Sequence, residues 1–95
     1  MSAFISVLTI NIFLPEAHTL KEKRHTVKSI IEKIKANTNS SVAETDFHDL
    51  WQRSQITVAL VQKEKAFLEK QINIIEKIVN NYPEAQVNDF IVDDL

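Results

Sequence analysis

The 95-residue chain contains no glycine and no cysteine, only two prolines and a single tryptophan. Without glycine, the phosphate-cradling loops that need it are excluded, the dinucleotide fingerprint and the P-loop among them. Any turn position with positive φ must then fall to Asn or Asp, and Asn37, Asn39, Asn80 and Asn81 stand where helices are predicted to end. Without cysteine there is no disulfide framework and no thiolate metal site, so a metal would need His, Asp or Glu. Neither sign of charge dominates, with 11 Lys and Arg against 13 Asp and Glu and a net charge of −2. A nucleic-acid partner would therefore have to meet a local basic patch. No apolar run reaches the roughly 18 residues a membrane span needs. The apolar start, Met1 to Leu14, is interrupted by Thr9 and Asn11 and lacks a charged leading segment, so it reads as a strand rather than a signal peptide. A cytoplasmic protein without membrane contact is the expectation.

The composition is otherwise that of one folded unit: 44% hydrophobic and 25% charged residues, in a length that suits a single core. Phe4 to Leu14 alternates apolar residues on one face with a mixed second face, the pattern of a central strand. Thr19 and Glu22 have the spacing of a capping box, which starts a helix near Leu20. Leu20, Val27, Ile30, Ile31 and Ile34 then share one helical face. Ser41–Thr45 and Gln55–Val61 read as two further strands, Glu64–Asn81 as a second helix and Val87–Val92 as a last strand. The apolar arc of the second helix is wider than one sheet contact needs, so it packs on the first helix or on a second copy of the chain. The order βαββαβ predicts an α+β, ferredoxin-like fold, a four-stranded antiparallel sheet with both helices on one face, spanning residues 1–95 as one domain.

Two surfaces stand out. Residues 21 to 35 hold six of the eleven basic residues, whereas residues 84 to 95 hold four acids and no base. On a helical projection Arg24, Lys35, Lys28 and Lys21 fall at roughly 40°, 60°, 80° and 100° from Leu20, a contiguous basic ridge. Such a ridge can pair with phosphates and release counterions. It can equally be a solvated flank whose lysine stems cover the core edge.

The second surface is the connector between the middle strands, Asp46 to Ser54. Glu44, Asp46, His48 and Asp49 crowd oxygens and an imidazole into a short stretch that could serve acid–base or metal chemistry. The structural reading is an acid paired with Arg53 that shapes the loop. Trp51 either stacks on a partner or, as such residues more often do, plugs one end of the core. His18 and His25, with no nucleophile motif nearby, read as surface residues.

Two segments, Leu14-Pro15-Glu16-Ala17-His18-Thr19-Leu20-Lys21-Glu22-Lys23-Arg24 and Ser41-Val42-Ala43-Glu44-Thr45-Asp46 continuing through Asp49-Leu50-Trp51-Gln52-Arg53, resemble a small bacterial family of unknown function often called YlxP-like. The likeness runs over essentially the whole chain. Departures are mild, with Thr19 in place of an expected Ser and Ser54 in place of an expected Ala. The resemblance implies a ferredoxin-like fold and a family often encoded beside translation and ribosome-maturation factors, and it carries no catalytic role.

The expected function is a non-catalytic binding module. It contacts structured RNA, ribosomal RNA or a ribosomal subunit, in ribosome maturation or translation, through Lys21, Arg24, Lys28 and Lys35. The connector residues Glu44, Asp46, Asp49, Trp51, Gln52 and Arg53 are structural or form a second contact. The sheet signature of RNA-recognition motifs is missing. The alternative is a structural or regulatory protein acting by self-association, as a homodimer, or by docking on another protein through the second helix or a sheet edge. The residues identify no catalytic set, cofactor, metal site or small-molecule substrate.

Overall fold

Alternation builds the sheet. In β1 (Phe4–Phe13) every second residue from Ser6 to Ile12 is buried, and the residues between are half-buried. The computed structural model describes residues 2–95 and continues with α1 (Leu20–Asn37), β2 (Ser40–Asp46), β3 (Arg53–Gln62), α2 (Lys65–Asn80) and β4 (Gln86–Asp94). The strands form one antiparallel sheet in the order β2-β3-β1-β4. Both helices contribute to the core that covers one face of this sheet, the βαββαβ ferredoxin-like arrangement.

The core lies between sheet and helices. Leu8, Ile10 and Ile12 of β1 and Ile56, Val58 and Leu60 of β3 meet Val27, Ile30 and Ile34 of α1 and Leu68, Ile75 and Val79 of α2. Burying each such side chain contributes on the order of 1.5–3 kcal/mol. α2 packs on α1 as well as on the sheet, and the Tyr82 hydroxyl reaches Ser29 Oγ at 2.5 Å. Among the described residues the opposite face of the sheet carries no helix.

The start of α1 follows its cap. Glu22 N–H donates to Thr19 Oγ1 at 3.1 Å, and the Glu22 carboxylate accepts from His18 N–H at 2.9 Å, one residue before the partner a standard capping box uses. The helix ends differ from expectation. No Asn takes a left-handed conformation: among the described residues the one positive φ belongs to Phe47, at 63°. Thr38 closes α1 in an extended conformation, its N–H and its hydroxyl both donating to the Ile34 carbonyl. Asn81 closes α2 at φ −101°.

β4 also runs further than its apolar residues suggest, to Asp94. Its acidic end is held in the sheet by a hydrogen bond from the Ser6 hydroxyl to Asp94 Oδ1 and by Leu95 N–H donating to Ile5 O at 2.9 Å. Among the described residues no helix is long and apolar enough to cross a membrane.

Candidate functional site

The connector, residues 47 to 52, is organised around a lysine of α1. Lys23 is completely buried. Its Nζ donates to Glu44 Oε2 at 2.8 Å, Phe47 O at 2.8 Å, His48 O at 3.2 Å and Arg53 O at 3.3 Å. An ammonium has three N–H groups, so four acceptors leave it no donor for a ligand. Lys23 holds the loop rather than acting on a substrate.

Glu44 completes the network. It sits on β2 in register with Ile56, on the helix side of the sheet, and the same carboxylate oxygen accepts from the buried Ser54 hydroxyl. A register shift then separates Glu44 from Asp46, which is in register with Gln55 on the outer side. Glu44 and Asp46, two residues apart, therefore lie on opposite sides of the sheet, because the irregularity breaks the two-residue period. Asp46 Oδ1 instead accepts from Phe47 N–H at 2.7 Å.

Phe47 carries the strain of the loop. A left-handed conformation costs a residue with a Cβ roughly 1–2 kcal/mol and persists only where its surroundings fix it. Here Lys23 and Leu50 N–H bind its carbonyl, Asp46 binds its N–H, and the Arg53 guanidinium lies 4.2 Å from the centre of its ring. The expected clasp between an acid and Arg53 is thus corrected. Among the described residues the one ion pair is Lys23–Glu44, and Arg53 stacks on an aromatic ring instead.

The connector is tied to the β1–α1 loop as well. Gln52 Nε2 donates to the carbonyls of Pro15 and Ala17 at 3.2 and 3.3 Å, and Gln52 O accepts from Leu14 N–H at 2.8 Å. With its backbone fixed at both ends, the loop turns its apolar tip outward. Leu50 and Trp51 are 45% and 51% exposed, so Trp51 is not the expected core plug. Together with Phe13, Gln52 and Arg53 they line a shallow concavity of about 390 Å³. His48 Nε2 lies 3.1 Å from Glu44 O, Asp49 is exposed, and the described residues contain no His, Asp and Glu cluster that could hold a metal.

The basic ridge is the second element. Lys21, Arg24, Lys28 and Lys35 are all exposed, as are His18 and His25. Ser29, near 180° on the helical projection, meets Tyr82 at the end of α2. The ridge, at roughly 40–100°, lies away from this contact and is exposed. Its amino-terminal end adjoins the connector, since Lys23 of the same turn bonds the connector carbonyls.

A family profile described as a protein of unknown function, DUF503, matches residues 5–91. The chain belongs to this family. An uncharacterised protein of Bacillus subtilis, YlxP, is 30% identical over 71 residues, which span 75% of this chain and 77% of that protein. A solved de novo designed protein, Foldit4, superposes with a TM-score of 0.52 at 14% identity, covering 95% of this chain and 96% of that one. At that identity the likeness concerns the fold alone.

In this DUF503 chain the two segments that carried the resemblance meet in space. Lys23 of the first bonds three carbonyls of the second, and Gln52 of the second bonds two carbonyls of the first. Lys23 was not among the expected site residues. The signal lay in its place on the helix: at roughly 300° it falls between Ile30 at about 280° and Ile34 at about 320°, inside the apolar arc.

Proposed function

We propose that the protein is a non-catalytic module that binds structured RNA, with ribosomal RNA as the expected partner, through the α1 ridge and the adjoining connector. One observation carries this reading: Lys21, Arg24, Lys28 and Lys35 lie exposed on one flank, and none of them forms an ion pair among the described residues. Cations held apart from carboxylates are available to phosphates, and each contact gains affinity by releasing counterions. The exposed Trp51 and the Arg53 guanidinium border a concavity suited to stacking an unpaired base, which is how single-stranded parts of folded RNA are gripped. The enclosed ammonium of Lys23 supports a binding role over a catalytic one, because the most tightly held polar group is spent on the loop's own carbonyls.

The test is binding of ribosomal RNA fragments as a function of salt. The native chain should lose affinity linearly in log–log form, and Lys21→Glu with Lys28→Glu should flatten the slope by about 2 while the circular dichroism spectrum stays native. Equal binding by the double variant across the salt range would remove the proposal.

A further inference from the structure

The outer face of the sheet is depleted of charge. On β1, β2 and β3 it presents Ile5, Val7, Thr9, Thr57, Ala59 and Val61 among others, and the only ionisable residues there, Asp46 and Arg53, lie together at one end. In a chain that is 25% charged, this is the composition of an interface centre rather than of ordinary surface. Charge stands only at the margins, with Asp46 and Arg53 at one end and Asp89 and Asp93 on β4.

We infer that this face binds a second copy of the chain, sheet on sheet, about a two-fold axis that runs parallel to the strands between β1 and β3. Four strands spaced about 4.8 Å apart and some nine residues long at about 3.3 Å each make a face on the order of 570 Å². Two copies bury about 1,100 Å², which clears the roughly 1,000 Å² a specific interface needs.

The apolar end of the face chooses the axis. A two-fold perpendicular to the strands would lay the apolar end, Ile5, Val7, Ala59 and Val61, on the polar end, Asn11 and Gln55. The parallel axis lays β4 of one copy on β2 of the other. The register puts Ser41, Ala59, Val7 and Asp93 at one level, Ala43, Thr57, Thr9 and Ile91 at the next, and Asp46, Gln55, Asn11 and Asp89 at the polar end, where Asp89 of each copy nears Asp46 of the other at the exposed margin. Asp93 of each copy then meets the Ser41 hydroxyl of the other, a donor for its carboxylate. Ile91, 47% exposed, covers Ala43, a large side chain against a small one. Strands of the two sheets cross at about 30°, as aligned sheets do. Both basic ridges face outward in this dimer, and only Phe13 and Arg53, at one end of the face, are shared with the concavity of the RNA reading.

Sedimentation equilibrium from 1 to 500 µM checks the association. The native chain should shift from monomer to dimer mass within that range, and Thr9→Arg, a charge at the centre of the face, should hold it at monomer mass with a native circular dichroism spectrum. If Thr9→Arg does not fold, Val61→Lys, at a 53% exposed position, serves in its place. A native chain that stays monomeric at 500 µM, or a dimer that survives the charged variant, overturns the inference. The orientation is checked separately in this cysteine-free chain with a short bismaleimide, since sheets stacked about 10 Å apart lie beyond a disulfide's reach. Ala43→Cys combined with Ile91→Cys should crosslink to dimer and neither single variant should. Crosslinking of Ile91→Cys alone would establish β4 on β4 and overturn the axis.

Discussion

Lys23 and Lys28 stand five residues apart on α1, one sealed from water and the other exposed to it, and the same side chain does opposite work at the two places. Around Lys23 the sheet supplies the Glu44 carboxylate and the Arg53 carbonyl and the connector the carbonyls of Phe47 and His48, so the ammonium cross-links helix, strand and connector. Around Lys28 nothing in the fold claims the charge, as holds for Lys21, Arg24 and Lys35. The contrast separates a charge used for structure from charges left for a partner. In this helix that difference follows from angular position.

The contrast breaks most visibly at Lys23. Lys23→Ala leaves the Glu44 carboxylate, only 16% exposed, without its counter-charge, and removing one partner of a buried pair costs about 3–5 kcal/mol. Urea unfolding should show that loss, and hydrogen exchange should show the connector amides opening before those of β1. The double variant Lys23→Met, Glu44→Leu refines the point. Replacing both charges removes the orphaned carboxylate, so stability should recover in part, while the carbonyls of Phe47, His48 and Arg53 still lack their donor. A double variant as stable as the native chain would mean that the connector needs no ammonium.

The order of the elements and the buried faces of β1 and α1 could be read from the chain, because a two-residue period in Phe4–Phe13 and a helical period in Leu20–Asn37 are local signals. The Thr19–Glu22 cap is local as well. The centre of the site is not. Lysine is expected at the border of an apolar face, its stem covering the core and its head reaching water, so residue type alone does not mark Lys23 as enclosed. Its carboxylate partner lies 21 residues away and reaches the helix side only through the register of β2 on β3. The left-handed Phe47 was hidden for a related reason. Asn is the usual occupant, and an aromatic residue there depends on an ammonium and a guanidinium brought from elsewhere. Trp51 points outward because Gln52 anchors the backbone beside it to Pro15 and Ala17, contacts that no local pattern announces.

Phe47 gives a smaller test of how firmly the Lys23 side is held. Phe47→Ala discards the ring contact with Arg53 but keeps a Cβ in the left-handed region, whereas Phe47→Gly discards both. The glycine variant should therefore be the more stable of the two by about 1 kcal/mol in chemical denaturation, the reverse of the order found in a helix or strand. Equal stabilities would mean that the loop relaxes to negative φ once the ring is gone. The Lys23 carbonyl contacts would then not be what fixes the backbone.

The smallest effect is expected on the ridge, and its smallness is the point. Lys21→Glu with Lys28→Glu removes two cations that have no partner in the fold, so the stability change should stay within about 0.5 kcal/mol. Two local terms act in the favourable direction. An acid at position 21 lies in the first turn of α1, where the helix dipole favours negative charge. The change also relieves repulsion among Lys21, Arg24 and Lys28, which lie three to four residues apart on one flank, while an acid at position 28 meets Glu32 four residues on, so the terms largely offset. Thermal unfolding of this variant beside Lys23→Ala reads the contrast directly, since each changes lysines of the same helix. A ridge variant as unstable as Lys23→Ala would mean that the exposed lysines serve the fold after all. A native melting temperature would leave their charge to be accounted for by a partner.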